Sequence, residues 1–224
     1  MSGLELRVVE DAEAAAQAAA ELLAETARAG GQLVLSGGSS PRRAFELAAA
    51  LEPDWSRAGI WFGDERAVPA DDERSNYRLA QEHLLARLER EPAVHRIQGE
   101  LGAAAAADAY EQELGGVALD LSLNGLGPDG HTASLFPGSP SLDEDTRRAI
   151  AAEPGLEPFV ERVTLTVAAF AGIPLVVFLV VGEPKADAVR RAFGGEPDRA
   201  VPASLVRGSD RTLAILDRAA AAYI

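Results

Sequence analysis

Apolar and polar positions along this chain switch between two periods, and the switching runs nearly from end to end. Apolar runs of strand length lie at Leu4–Val9, Gln32–Leu35, Gly59–Phe62, Leu119–Leu123, Val163–Val167, Leu175–Val181 and Thr212–Leu216. Between them, helical spacing covers Glu10–Arg28, Pro41–Leu51, Ser75–Arg90, Ala103–Leu114 and Pro184–Phe193. Pro41 stands at a first helical position, where its missing N–H costs nothing. The Ala-rich tail after Leu216 reads as a closing helix. Short apolar strands separated by helices predict an α/β fold, a doubly wound, mostly parallel sheet with helices on both faces, Rossmann-like in architecture. No internal repeat or linker-like tract interrupts the pattern, which predicts one domain over residues 1–224. Ser139–Glu157, with its prolines and acids, reads as a long surface excursion.

Composition narrows the function classes. The chain has 224 residues, 47% hydrophobic and 25% charged, enough to bury a core and too apolar for disorder. Its net charge of −14 repels polyanions and argues against nucleic-acid binding. A small anion would bind only where a few cations and backbone amides converge. The longest apolar stretch, Ile173–Val181, contains Pro174 and falls short of the ~20 residues of a membrane span. The N-terminus lacks the basic and apolar segments of a secretion signal. There is no cysteine, hence no disulfide, thiolate nucleophile or cysteine zinc site. These features together predict a cytoplasmic protein with neither a nucleic-acid nor a membrane partner.

In doubly wound folds ligands bind outside the carboxyl ends of the strands, so the residues that follow each strand carry the chemistry. After Leu35 come Ser36, Gly37, Gly38 and Ser39, then Ser40 and a helix opened by Pro41. Two glycines permit close backbone approach, and a helix N-terminus offers unpaired N–H groups to a phosphate. No Gly-Lys-Ser/Thr follows, so this is not a Walker loop. An ordinary capped turn is the alternative. After Phe62 come Gly63, Asp64, Glu65 and Arg66, with Ser75 and Asn76 beyond an acidic loop. Such a cluster can hold a polyol and clamp an anion, or simply be solvated.

After Leu123 comes Asn-Gly-Leu-Gly-Pro-Asp-Gly-His-Thr-Ala-Ser-Leu-Phe-Pro, residues 124–137. Gly125, Gly127 and Gly130 match the spacing of a dinucleotide fingerprint, but Pro128 inside it and Pro137 after it leave no room for the required helix. What the loop supplies is His131, two residues from Asp129. His83 falls in a helix and His95 in a connecting segment, so His131 is the one histidine at a strand's carboxyl end. An imidazole backed by a carboxylate suits proton abstraction from water near neutral pH. No serine-triad partner or metal-ligand set accompanies it. After Val181 comes Gly-Glu-Pro-Lys-Ala; of 21 basic side chains Lys185 is the single lysine and the remaining 20 are arginines. A compact ammonium on a flexible stem there suits a phosphate or carboxylate.

Together these motifs resemble the 6-phosphogluconolactonase family, within the group that includes glucosamine-6-phosphate deaminases. The matching pieces are Ser36–Pro41, Trp61–Arg66 with Ser75-Asn76, Gly125–Gly138, Arg162–Thr166, Gly182–Ala186, Pro202–Ser204 and Leu216–Ala220. They stand in the family's order over nearly the whole chain. The resemblance implies hydrolysis of 6-phospho-D-glucono-1,5-lactone, with His131 as the base that activates water and Asp129 beside it. The Ser36–Ser39 loop, Arg66 and Lys185 would bind the phosphate and the developing negative charge, and Asp64 and Asn76 would contact or organise the sugar site. Which cation meets which group stays open. The resemblance also implies a sugar-phosphate lactone as sole partner, no cofactor or metal, and a monomer.

Relatives that deaminate glucosamine 6-phosphate carry a glutamate where this chain has Phe136 and a tyrosine where it has Arg66. A sugar-phosphate-binding module is the other alternative, although such sensors come attached to a DNA-binding helix-turn-helix that this chain lacks. Since phenylalanine cannot shuttle a proton, the protein should release no ammonia from glucosamine 6-phosphate. A coupled ammonia assay giving a rate close to the lactone rate would contradict this.

Overall fold

The computed structural model describes residues 3–155 and 159–224. The last residues of the expected 139–157 excursion therefore lie outside the described residues, as do the first two of the N-terminus. Strands β1 (Leu4–Val9), β2 (Gln32–Leu35) and β3 (Gly59–Phe62) have the bounds that the hydrophobic pattern predicts, as do helices α2 (Pro41–Leu51) and α4 (Ala103–Leu114). Helix α1 (Ala12–Ala29) starts after Asp11, whose carboxylate accepts from the Ala14 N–H at 2.9 Å. Gly30 ends it in the left-handed region, at φ +83°. The other elements are β4 (Asp64–Arg66), α3 (Asn76–His83), β5 (Ala93–Val94), β6 (Leu121–Asn124), β7 (Ala149–Ala152) and β8 (Arg162–Leu165). They are followed by α5 (Val167–Ala171), β9 (Leu175–Val180), α6 (Ala186–Phe193) and β10 (Arg211–Asp217).

Seven strands form one sheet in the order β1-β10-β9-β6-β2-β3-β5, and every pairing in it is parallel. Successive side chains of a strand point to opposite faces, yet every residue of β3 and β6 is buried. Both faces of the sheet are therefore covered, which is why these strands read as continuous apolar runs. The α/β architecture expected from the sequence is the one observed.

Four expectations need correction. Arg162–Leu165 does form a strand, but it lies outside the parallel sheet: β8 pairs antiparallel with β4 and with β7 in a separate three-stranded sheet. The 139–157 excursion is accordingly not all surface coil, since it supplies β7 and a short 3-10 turn at Pro140–Asp143. The helix expected over Ser75–Arg90 stops at His83 because Leu84 leaves the helical region, at φ −124°, and a 3-10 turn follows. The tail after Asp217 forms turns rather than a helix. There the Asp217 carboxylate accepts from the Ala220 N–H at 2.7 Å and from the Gly182 N–H at 3.0 Å, which spends the first turn on a tertiary contact. Among the described residues no helix is long and apolar enough to cross a membrane.

Candidate active site

Strand order runs from β2 outward to β3 and β5 on one side, and from β6 outward to β9 and β10 on the other. The loops leaving β2 and β6 therefore separate at their carboxyl ends and open a crevice. A cleft of about 210 Å³ lies there, lined by the Ser36–Pro41 turn, Asp64, Arg66, Asn76, the Gly125–Pro128 turn, His131–Ala133, Arg162 and Lys185.

The turn after β2 lines the cleft with unpaired polar groups. The Ser36 side chain is 7% exposed and its Oγ has no hydrogen-bond partner among the described residues. Ser40 precedes α2 without a side-chain cap, so the helix's first N–H groups lack an acceptor from that side. Gly37 approaches Asn76 so closely that a Cβ would sit 1.8 Å from its Oδ1.

The loop after β6 holds the imidazole. His131 Nδ1 lies 2.5 Å from Asp129 Oδ1, and the His131 backbone N–H donates to the same oxygen at 3.2 Å. With a carboxylate as acceptor, Nδ1 carries the proton and Nε2 keeps its lone pair for the cleft. Burial raises the Asp129 carboxyl, but the His131 hydrogen bond and charge outweigh it and hold the group below its ordinary value. Backbone bonds from Gly127 N to the His131 carbonyl at 2.8 Å and from Ala203 N to the Gly130 carbonyl at 3.0 Å fix the loop. From α6, Arg191 donates to the Pro128 carbonyl at 3.0 Å.

Three cations share the cleft. Arg66 Nη1 donates to the Arg74 carbonyl at 2.8 Å and to Asn76 Oδ1 at 2.5 Å, while its buried Nε has no hydrogen-bond partner among the described residues. Lys185 is half-buried. Desolvation lowers its pKa, and the charge of Asp129 partly restores it. Arg162 is buried at the start of β8, with its guanidinium 5.7 Å from the Phe136 ring centre. Burial lowers its pKa as well, against the attraction of Asp64. Phe136 also packs 5.0 Å, centre to centre, from the His131 ring.

Beneath these groups lies a buried polar layer. Glu65 accepts from the N–H groups of Arg66, Asn76 and Tyr77 at 2.7–2.8 Å and from Ser75 Oγ at 3.0 Å. Burial raises its carboxyl, against the pull of those four donors. Two of the donors are first-turn amides of α3, so Glu65 ties that helix to β4. Asp64 accepts from Asn76 Nδ2 at 2.9 Å and from Ser134 Oγ at 2.6 Å.

The structure thus gathers Ser36, Gly37, Gly38, Ser39, Asp64, Arg66, Asn76, His131 and Lys185 around one cleft, with Asp129 behind the imidazole. His83 and His95 lie elsewhere: His83 pairs with Glu46 at 3.0 Å, and His95 stacks on Trp61 at 4.0 Å. Sequence reasoning missed Arg162 as a site residue, because one arginine among twenty carries no signal of its own. It missed Ser134 and the carboxylate role of Glu65 because both act through partners distant in sequence. Among the described residues no group of three His, Cys, Asp or Glu could hold a metal ion.

Gly127 is where this packing is tightest around the imidazole: a Cβ there would lie 2.0 Å from His131 Nδ1 and 2.6 Å from Asp129 Oδ1. Gly127→Ala should push the ring off its carboxylate. Proton NMR should show a far-downfield Nδ1 proton in the native protein and lose it in the variant. A signal unchanged in Gly127→Ala would contradict the geometry.

Comparison with known proteins bears on this arrangement. Residues 10–215 match the model of the family described as glucosamine-6-phosphate isomerases/6-phosphogluconolactonase. The chain is 37% identical to the 6-phosphogluconolactonase of Mycobacterium leprae, with 98% of each covered. It is 38% identical to the human 6-phosphogluconolactonase over 94% of this chain and 86% of that one. The structure of 6-phosphogluconolactonase from Trypanosoma cruzi superposes with a TM-score of 0.88 at 27% identity, covering 100% of this chain and 98% of the other. A monomeric glucosamine-6-phosphate deaminase superposes at 0.87 with 20% identity, a likeness of fold alone. The chain belongs to the glucosamine-6-phosphate isomerase/6-phosphogluconolactonase family.

Proposed function

We propose that this chain hydrolyses 6-phospho-D-glucono-1,5-lactone to 6-phosphogluconate, a step of the oxidative pentose phosphate pathway, with His131 as the general base. The observation that carries the reading is the convergence, in a molecule of net charge −14, of three cations and a carboxylate-backed imidazole on one cleft. The names of the relatives support the substrate, and Phe136 favours the lactone over an amino sugar. It packs against both His131 and Arg162 at the place where an isomerising relative needs an acid.

The chemistry uses each part once. His131 Nε2 takes a proton from water as its oxygen bonds to C1, and the carbonyl oxygen becomes an alkoxide. Collapse of that intermediate re-forms the carbonyl and breaks the bond from C1 to the ring oxygen, which receives the proton back from the imidazolium. The carboxylic acid formed then ionises, so one proton is released per turnover. Asp129 holds the ring through its hydrogen bond to Nδ1. General-base assistance of this kind is worth about 10² to 10⁴ in rate. A positioned cation at the alkoxide adds about 10² to 10³. The Ser36–Ser39 turn, the uncapped start of α2 and a cleft cation bind the phosphate, whose interactions orient the distant carbonyl. The overall reaction changes no oxidation state.

Proton release should be followed at constant pH on adding freshly made 6-phosphogluconolactone, with spontaneous hydrolysis subtracted. The wild type should hydrolyse the lactone rapidly, and His131→Ala should fall by about 10² or more. A wild type no faster than buffer would overturn the reading. Equal rates for both proteins would remove His131 from the mechanism.

A further inference from the structure

Asp64 is a buried carboxylate at the cleft, 5% exposed, and the reaction above gives it no proton to move. Its hydrogen bonds explain what it does. One oxygen accepts from Asn76 Nδ2 at 2.9 Å and the other from Ser134 Oγ at 2.6 Å. Asn76 Nδ2 donates to the Asp64 backbone carbonyl as well, at 2.8 Å, so main chain and carboxylate together turn the amide until its oxygen accepts from Arg66 Nη1. Ser134 is fully buried, and its own N–H donates to Thr164 Oγ1 on β8 at 3.2 Å. The residue before it, Ala133, is held in the left-handed region at φ +49°, the one non-glycine there among the described residues. A strained backbone beside the cleft thus aims a buried hydroxyl at Asp64.

We infer that Ser134, Asp64 and Asn76 form a hydrogen-bonded chain that positions the Arg66 guanidinium for the anion, with Ser134 and Asp64 as positioning residues and Asp64 excluded from proton transfer. This rests on the lactonase reading and adds to it a residue, Ser134, and a role for Asp64. The direction of the chain is fixed by chemistry. Arg66 can only donate, so Asn76 must present its oxygen there and its NH₂ to Asp64. The second carboxylate oxygen is then free to accept from the buried Ser134 hydroxyl.

Substitutions at Asp64 separate positioning from proton transfer. In Asp64→Asn the amide oxygen can still face Asn76 Nδ2, and its NH₂ can donate to Ser134 Oγ, since a hydroxyl can reverse its role. Asp64→Asn should therefore keep kcat/KM for the lactone within about tenfold of wild type, whereas Asp64→Ala and Ser134→Ala should each lose about tenfold or more. Guanidinium rescue reads the positioning itself. Added guanidinium should restore activity to Arg66→Ala, and the rescue should be lost in Arg66→Ala/Ser134→Ala, a readout that a fall in stability alone does not move. Asp64→Asn as inactive as Asp64→Ala would mean that Asp64 transfers a proton. Ser134→Ala with wild-type kcat/KM, or equal rescue in both backgrounds, would also overturn the inference while the lactonase reading stands. If Ser134→Ala does not fold, the comparison of Asp64→Asn with Asp64→Ala decides. A wild type inactive on the lactone would remove both.

Discussion

The reversal of strand order between β2 and β6 is the constraint on which the cleft depends. In a wholly parallel sheet each strand delivers its loop to the same edge, and neighbouring loops normally crowd one another. Only where the chain builds outward in both directions do two loops part. Here the partings are the Ser36–Pro41 turn and the glycine-rich loop that carries His131, and they form opposite walls of one cleft. One wall brings backbone amides and a buried hydroxyl; the other brings the imidazole. The crevice is thus a product of topology, and the residues in it are a product of what the two turns contain.

A second device completes the site from outside the main sheet. The small antiparallel sheet of β4, β8 and β7 carries Asp64 and Arg66 on one strand and Arg162 on the next. Glu65, between the first two, faces the other way and binds the start of α3, which carries Asn76. Alternation along a three-residue strand therefore sends Asp64 and Arg66 to the cleft and Glu65 to the scaffold. The buried carboxylate is costly to desolvate, and four donors offset that cost. The consequence is rigidity: Arg66 hangs from a hydrogen-bonded polar layer through Asn76 and Asp64.

How much of this was legible follows from the same physics. The parallel strands were readable because burial on both faces makes them continuous apolar runs with sharp ends. Strand β4 was not, since Asp-Glu-Arg has no apolar alternation and becomes a strand only by pairing with β8. β7 was hidden likewise inside an acidic, proline-containing stretch. The alanine-rich end looked helical because propensity is local, whereas the Asp217 carboxylate that turns the chain there answers to Gly182 across the sheet edge. At the site, Lys185 and His131 stood out by rarity and by position after a strand. Arg162 and Ser134 did not, because an arginine or a serine is ordinary until its partner is known.

A molecule of net charge −14 keeps three cations together in one cleft, which on the proposed reading serve a phosphate distant from the reacting carbon. The most direct measurement is the ratio of kcat/KM for 6-phosphogluconolactone to that for gluconolactone, which has the same ring and no phosphate. Charge-assisted bonds to the phosphate predict a preference of about 10² or more for the phosphorylated lactone. Equal values for the two lactones would contradict the account, because the cations of the cleft would then contribute nothing that the phosphate can use.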